Sequence, residues 1–158
     1  MATISILVQS GHLISIGGGL EAHEPPLRRL YGYPHVIDWL DNVLPHLQPA
    51  LDAGRQSPLE QIETLLYDFV SGDNFAFYEK SHSMLPTTNG IWELKTSDVR
   101  VFGWFVARSV FIIAEVDGAA KIKANSLYTG YMNSALHRRS TLNLDQPKFI
   151  VGDYSDVL

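Results

Sequence analysis

The residues of this chain best suited to chemistry are cations and proton carriers gathered in one stretch. Arg100 stands in the middle of the run VRVFGWF, a position where a guanidinium is poorly accommodated unless its face opens to solvent or to an anionic ligand. Lys121 and Lys123 share a face if AKIK is extended, and Arg138 and Arg139 close a helical segment whose earlier turns carry Tyr128, Tyr131 and His137. Cations around one concavity can hold a phosphoryl group and the charge that develops on it. A tyrosine or histidine among them can move a proton or stack on a base.

The same residues admit a purely architectural account, which the spacing leaves open. Arg100 can pair with Glu93 across a hairpin, Lys121 and Lys123 can keep an edge solvated, and Arg138 and Arg139 can complement a helix C-terminus. Trp92, Phe102 and Trp104 are expected in the core rather than on a stacking surface, because one face of a meander must pack on helices. Six histidines raise the question of a metal, but there is no HExxH and no HxH, and Pro45 interrupts the interval between His35 and His46. No metal and no cofactor are expected. The GGG at 17–19 lacks the context of a phosphate-binding loop, no GxSxG is present, and zero cysteines exclude a thiol nucleophile.

Charge is unevenly spread. The net charge of −5 argues against a nucleic-acid partner, yet residues 1–90 carry −6 while residues 91–140 carry +3. The longest apolar run, 110–114, is strand-sized, so no membrane span is expected. The N-terminus has no basic segment ahead of its short apolar run, so no cleaved signal is expected, and with the absence of cysteine this suggests a cytoplasmic protein.

A chain of 158 residues suits one domain, here 1–158, with a helical N-terminal part (1–90) and a sheet with a terminal helix (91–158). ATISILV alternates loosely and is expected to be a strand, and 11–29 mostly loop. Val36, Leu40, Val43, Leu47 and Leu51 mark an amphipathic helix ending near Gly54, which Pro45 and Pro49 should kink or split. Ser57 and Glu60 form a capping box around Pro58. Leu59, Ile62, Leu65, Leu66 and Phe69 then line a second helix that stops at Gly72.

After an irregular stretch with room for a short strand at 75–78, three strands follow: IWELK, VRVFGWF and VFIIAEV, with turns at TSD, ARS and DG. Short turns make them antiparallel. Arg100, Phe102 and Trp104 then face one way, and Val101, Gly103 and Phe105 the other. A last helix is expected over 125–141, and the tail LDQPKFIVGDYSDVL should pack back on the domain.

The run GIWELKTSDVRVFGWF, then VFIIAEVDGAAKIK and a helix, resembles the RelE/HigB-like toxin superfamily and especially its phage-derived branch. The resemblance implies an α+β, RelE-like fold: an N-terminal strand and two helices packed on an antiparallel β-meander, with a C-terminal helix. It implies the toxin of a type II toxin–antitoxin pair, a metal-independent endoribonuclease cleaving messenger RNA, commonly on the ribosome, and neutralised by a cognate antitoxin. By position Arg100 matches the strand arginine, and Lys121 and Lys123 the lysine pair. Tyr128, Tyr131 and His137 are the candidates for base or acid, and Lys95, Tyr131, Arg138 and Arg139 for RNA contacts. The expected partners are thus the antitoxin, messenger RNA and the ribosome, with no membrane; a homodimer is compatible with the sequence. The alternative is a non-enzymatic protein- or nucleic-acid-binding module of the same fold.

Overall fold

A computed structural model describes residues 1–50, 56–73 and 80–158. The chain order of its elements is α1 (Ile4–Gln9), β1 (Ile14–Ile16), β2 (Arg29–Gly32), α2 (Pro34–Asn42), α3 (Pro58–Val70), β3 (Ser81–Ser83), β4 (Trp92–Lys95), β5 (Val99–Ala107), β6 (Val110–Gly118), α4 (Ala119–Asn125), α5 (Tyr128–Thr141) and α6 (Tyr154–Val157). The fold is α+β, and the strands form one mixed six-stranded sheet in the order β1-β2-β6-β5-β4-β3.

The meander expected from residue 91 onward is present. β4 pairs antiparallel with β5, and β5 with β6, so that Lys95 lies opposite Arg100 and Glu93 opposite Phe102. The two faces of β5 divide as the alternation requires. Val99, Val101 and Phe105 join Trp92, Leu94 and Phe111 in a core closed by Val36 of α2, by α3 and by Val157 of α6. Trp104 joins Ile112 and Ala114 in a second core, beneath Leu7 of α1 and Met132 and Ala135 of α5. Two apolar faces explain why VFIIA carries no alternation: its strand is central and covered on both sides.

α3 forms where its sequence marks it. Ser57 Oγ accepts from Glu60 N at 3.2 Å, Ser57 N donates to Glu60 Oε1 at 3.3 Å, and Pro58 occupies the first turn, where its missing N–H costs nothing. The expected helix from Pro34 is split, as its prolines require: α2 stops at Asn42 and a single 3-10 turn spans Leu44–His46. Its expected end near Gly54 and the possible strand at 75–78 lie outside the described residues. The tail packs back, with Ile150 N donating to Phe105 O at 2.9 Å and Trp104 Nε1 to Lys148 O at 3.0 Å.

Several expectations are corrected. ATISILV contains a helix, not a strand: Thr3 Oγ1 caps it by accepting from Ile6 N at 3.2 Å, and Ile4, Leu7 and Val8 meet the second core at helical spacing. The strand position beside β6 is taken instead by β2, which runs parallel to it, so the sheet is mixed rather than a pure meander. The stretch 11–29 is mostly loop, as expected, with the three-residue strand β1 inside it, and Ser81–Ser83 adds β3 at the far edge. DG is no turn, because β6 continues through Asp117 and Gly118 directly into α4, and the last helix begins at Tyr128 after Ser126 adopts a left-handed φ of 53°. AKIK is therefore helical, which sets Lys121 and Lys123 about 200° apart around the axis and not on one face.

Gly103 sits at a register shift between β5 and β6, and a Cβ built there would lie 2.0 Å from Ile112 O. Gly103→Ala should therefore force the two central strands apart and lower stability by about 1–3 kcal/mol. A chemical denaturation midpoint equal to that of wild type would show that the strands accommodate the methyl group.

Candidate active site

Strand alternation places His82, Glu93, Lys95, Arg100 and Phe102 on one face of the sheet, because His82 lies opposite Glu93 on β3 and β4, and the β4–β5 register supplies the rest. This is the face covered by α5. The helix covers Phe102, on which Tyr131 stacks at 5.4 Å and Tyr128 sits edge-on at 6.3 Å. Beyond Tyr128 the face opens into a cleft of about 460 Å³ lined by His82, Ser83, Met84, Leu85, Glu93, Lys95, Arg100 and Tyr128.

Glu93 is the only acid among the described lining residues, and it is 3% exposed. Its Oε1 lies 3.7 Å from His82 Nδ1 and 4.0 Å from Arg100 Nε, too far for hydrogen bonds but close enough for strong electrostatic coupling. Glu93 Oε2 and Arg100 Nε make no hydrogen bond with any described residue. Burial pushes the Glu93 carboxyl above the ordinary carboxylate range, while His82, Arg100, Lys95 and Lys123 pull against it. Arg100 is held at its tip, since Nη1 donates to the carbonyls of Thr96 and Val99, the latter at 3.1 Å. The guanidinium is thus fixed in place by the β4–β5 turn, with Nε left toward the acid.

The rest of that sheet face behaves differently. Glu115 accepts from Ser134 Oγ at 2.7 Å and from Arg138 Nε at 2.5 Å, and His35 lies 3.5 Å from its other oxygen. Burial alone would raise its pKa; bonds from His35, Arg138 and Ser134 together outweigh burial and hold the carboxyl at about 2. Asp117 accepts from Tyr131 Oη and faces Lys121 Nζ at 2.9 Å. Burial and the bond to Asp117 both push the Tyr131 phenol upward, so it keeps its proton at neutral pH.

The structure therefore brings together Lys95, Arg100 and Tyr128, with Lys123 near enough to act on Glu93 through space. Tyr131 and Lys121 are engaged with Asp117. His137, Arg138 and Arg139 do not line the cleft. His137 is exposed near the far end of α5, Arg138 is bound to Glu115, and Arg139 is buried, donating to Asn89 O at 2.7 Å with its guanidinium 3.5 Å from the Phe149 ring centroid. Burial lowers the pKa of Arg139 to about 10.

Two titratable residues of the cleft lie outside the candidates drawn from sequence. Glu93 was expected only as a partner for Arg100, although a carboxylate in mid-strand on the same face as an arginine is itself a signal. His82 carried none, because the three residues of β3 sit in a segment without strand period.

A carboxyl displaced toward neutrality beside an imidazole can exchange protons with a bound molecule, and fixed cations beside it can hold an anion during the exchange. Among the described residues no helix is long and apolar enough to cross a membrane. No family model, no curated protein and no solved structure matches the chain.

Proposed function

We propose that the chain is an endoribonuclease of RelE/HigB-like type, the toxin of a toxin–antitoxin pair, and that the cleft between β3, β4 and α5 is its active site. The observation that carries this reading is Glu93: a buried carboxylate with an unbonded oxygen, set between an imidazole and a guanidinium in a cleft open to solvent.

In this reading Glu93 accepts the proton of an RNA 2′-hydroxyl as its oxygen attacks the adjacent phosphorus. The bond from phosphorus to the 5′-oxygen breaks, and protonated His82 supplies the proton that the leaving oxygen requires. Lys95 and Arg100 stabilise the additional negative charge on the phosphorane, and the fixed position of Arg100 means that little reorganisation is needed. The products are a 2′,3′-cyclic phosphate and a 5′-hydroxyl end. Lys95 and Arg100 outnumber the one acid among the described residues that line the cleft, which gives an acidic protein a local preference for phosphate.

A second reading, a binding module of the same fold, is favoured by Leu85, which is 80% exposed at the lip of the cleft. One experiment separates the two. Purified protein is incubated with a single-stranded RNA, with the same sequence carrying 2′-deoxy sugars, and with a message on translating ribosomes. Cleavage of RNA alone, free or on ribosomes, with cyclic phosphate ends is the expected result. Cleavage of the deoxy strand would overturn the 2′-hydroxyl chemistry, and intact RNA in every mixture would leave the binding module.

A further inference from the structure

Two hollows meet at one pair of cations. A second hollow of about 470 Å³, which Glu93 does not line, has walls that include Gln56, Thr64, Lys80 and Ser97, with Lys95 and Arg100 common to both. The hollows differ in chemistry. The first has Met84, Leu85 and Tyr128 on its walls, while the described residues lining the second include no aromatic side chain and include Gln56, Thr64 of α3 and Ser97 of the β4–β5 turn.

The second hollow is built on a fixed base. Gln61 Nε2 donates to Asp98 Oδ2 at 2.6 Å and Gln61 Oε1 accepts from Asp98 N at 3.0 Å, a closed pair that ties α3 to the β4–β5 turn. Lys80 is bound to Asp68 and adds no net charge to the wall. Apart from the shared Lys95 and Arg100, the described residues of its wall bring no charge beyond the Lys80–Asp68 pair, and on this preorganised base the hollow can take the hydroxyls of a sugar and the edge of a base.

Resting on the nuclease reading, we infer that this hollow is a nucleotide subsite: a strand whose reacting phosphate lies over Lys95 and Arg100 places one neighbouring nucleotide against Tyr128 and Leu85 and the other between Thr64 and Ser97. The enzyme then requires an internal phosphodiester with a nucleotide on each side, and its affinity grows with the second nucleotide.

Thr64 and Ser97 are exposed and line the hollow from different elements, α3 and the β4–β5 turn, so a carboxylate at either blocks it without entering the core. Binding is measured by fluorescence anisotropy with a labelled 2′-fluoro tetranucleotide, which cannot be cleaved, for wild type, Thr64→Glu and Ser97→Glu, each checked by thermal melt. Both variants should weaken the tetranucleotide tenfold or more and leave a nucleoside monophosphate, confined to the Glu93 cleft, unchanged. Equal tetranucleotide affinity in all three proteins, or none in wild type, would overturn the subsite. If the variants lose affinity while RNA is never cleaved, the subsite stands and the nuclease reading falls. If RNA is cleaved and the variants bind as wild type does, the nuclease stands and the subsite falls.

Discussion

Glu93→Gln should abolish RNA cleavage while leaving the protein as stable as wild type or more so. The activity loss follows from the role proposed for Glu93: an amide cannot take the proton of the 2′-hydroxyl, and loss of a general base costs about 10²–10⁴ in rate. The stability effect has its own sign, set by burial. Because the folded protein raises the Glu93 pKa, ionising this carboxyl costs more in the folded state than in the unfolded one. That cost is absent below the unfolded pKa of about 4, where the group is neutral in both states, and complete above the folded value. The uncharged amide avoids it and still offers an oxygen toward Arg100. The stability advantage of Glu93→Gln should therefore be largest at neutral to alkaline pH and vanish toward pH 4 in a series of denaturation midpoints. A variant that lost stability at neutral pH would mark Glu93 as a structural partner of Arg100, and one that kept full cleavage activity would remove it from the mechanism.

A burial cost at one residue fits a wider pattern in how this sequence can be read. Where a feature depends on neighbours in the chain, its residues announced it. Ser57, Pro58 and Glu60 close a helix start within four positions. The β4–β5–β6 meander follows from short turns, and the division of Arg100, Phe102 and Trp104 from Val101 and Phe105 follows from the pleat. Where a feature depends on distant pairing, the signal was weak or misleading. β2 is four residues of ordinary composition that become a strand by lying parallel to β6, with each residue paired to one 81 positions later. ATISILV fits a short strand and a short helix equally well, and the choice is made by the Thr3 cap and by a sheet position already filled. AKIK became helical because β6 ends directly at α4, which removed the common face of Lys121 and Lys123 on which part of the catalytic expectation rested. The site was legible in part for the same reason. Arg100 and Lys95 face each other across a local hairpin, whereas His82 reaches Glu93 only because β3 is added at the sheet edge.

Glu115 should prove the opposite of Glu93, although both are buried carboxylates on one sheet face. It is 8% exposed and bonded to Ser134 and Arg138, so Glu115→Ala strands a guanidinium and a hydroxyl that had a shared acceptor. Removing one partner of a buried pair costs about 3–5 kcal/mol, and the lower end applies here because the Arg138 side chain is 37% exposed and regains some water. Glu115→Gln keeps the shape and an acceptor and should lose less. The pH dependence carries the sign of a depressed pKa. With a folded value of about 2, the carboxylate contributes its full stabilisation above the unfolded pKa, and the contribution disappears as pH falls through about 2. Denaturation midpoints of wild type and Glu115→Gln should therefore be well separated at pH 7 and converge in acid, the separation favouring wild type. For Glu93 the separation favours the variant. A Glu115→Gln midpoint that matched wild type at pH 7 would mean that the bonds to Ser134 and Arg138 do no more than offset the burial of the charge. The two carboxylates, on β4 and β6 with Phe102 of β5 between them, would then differ in their surroundings without differing in their contribution to the fold.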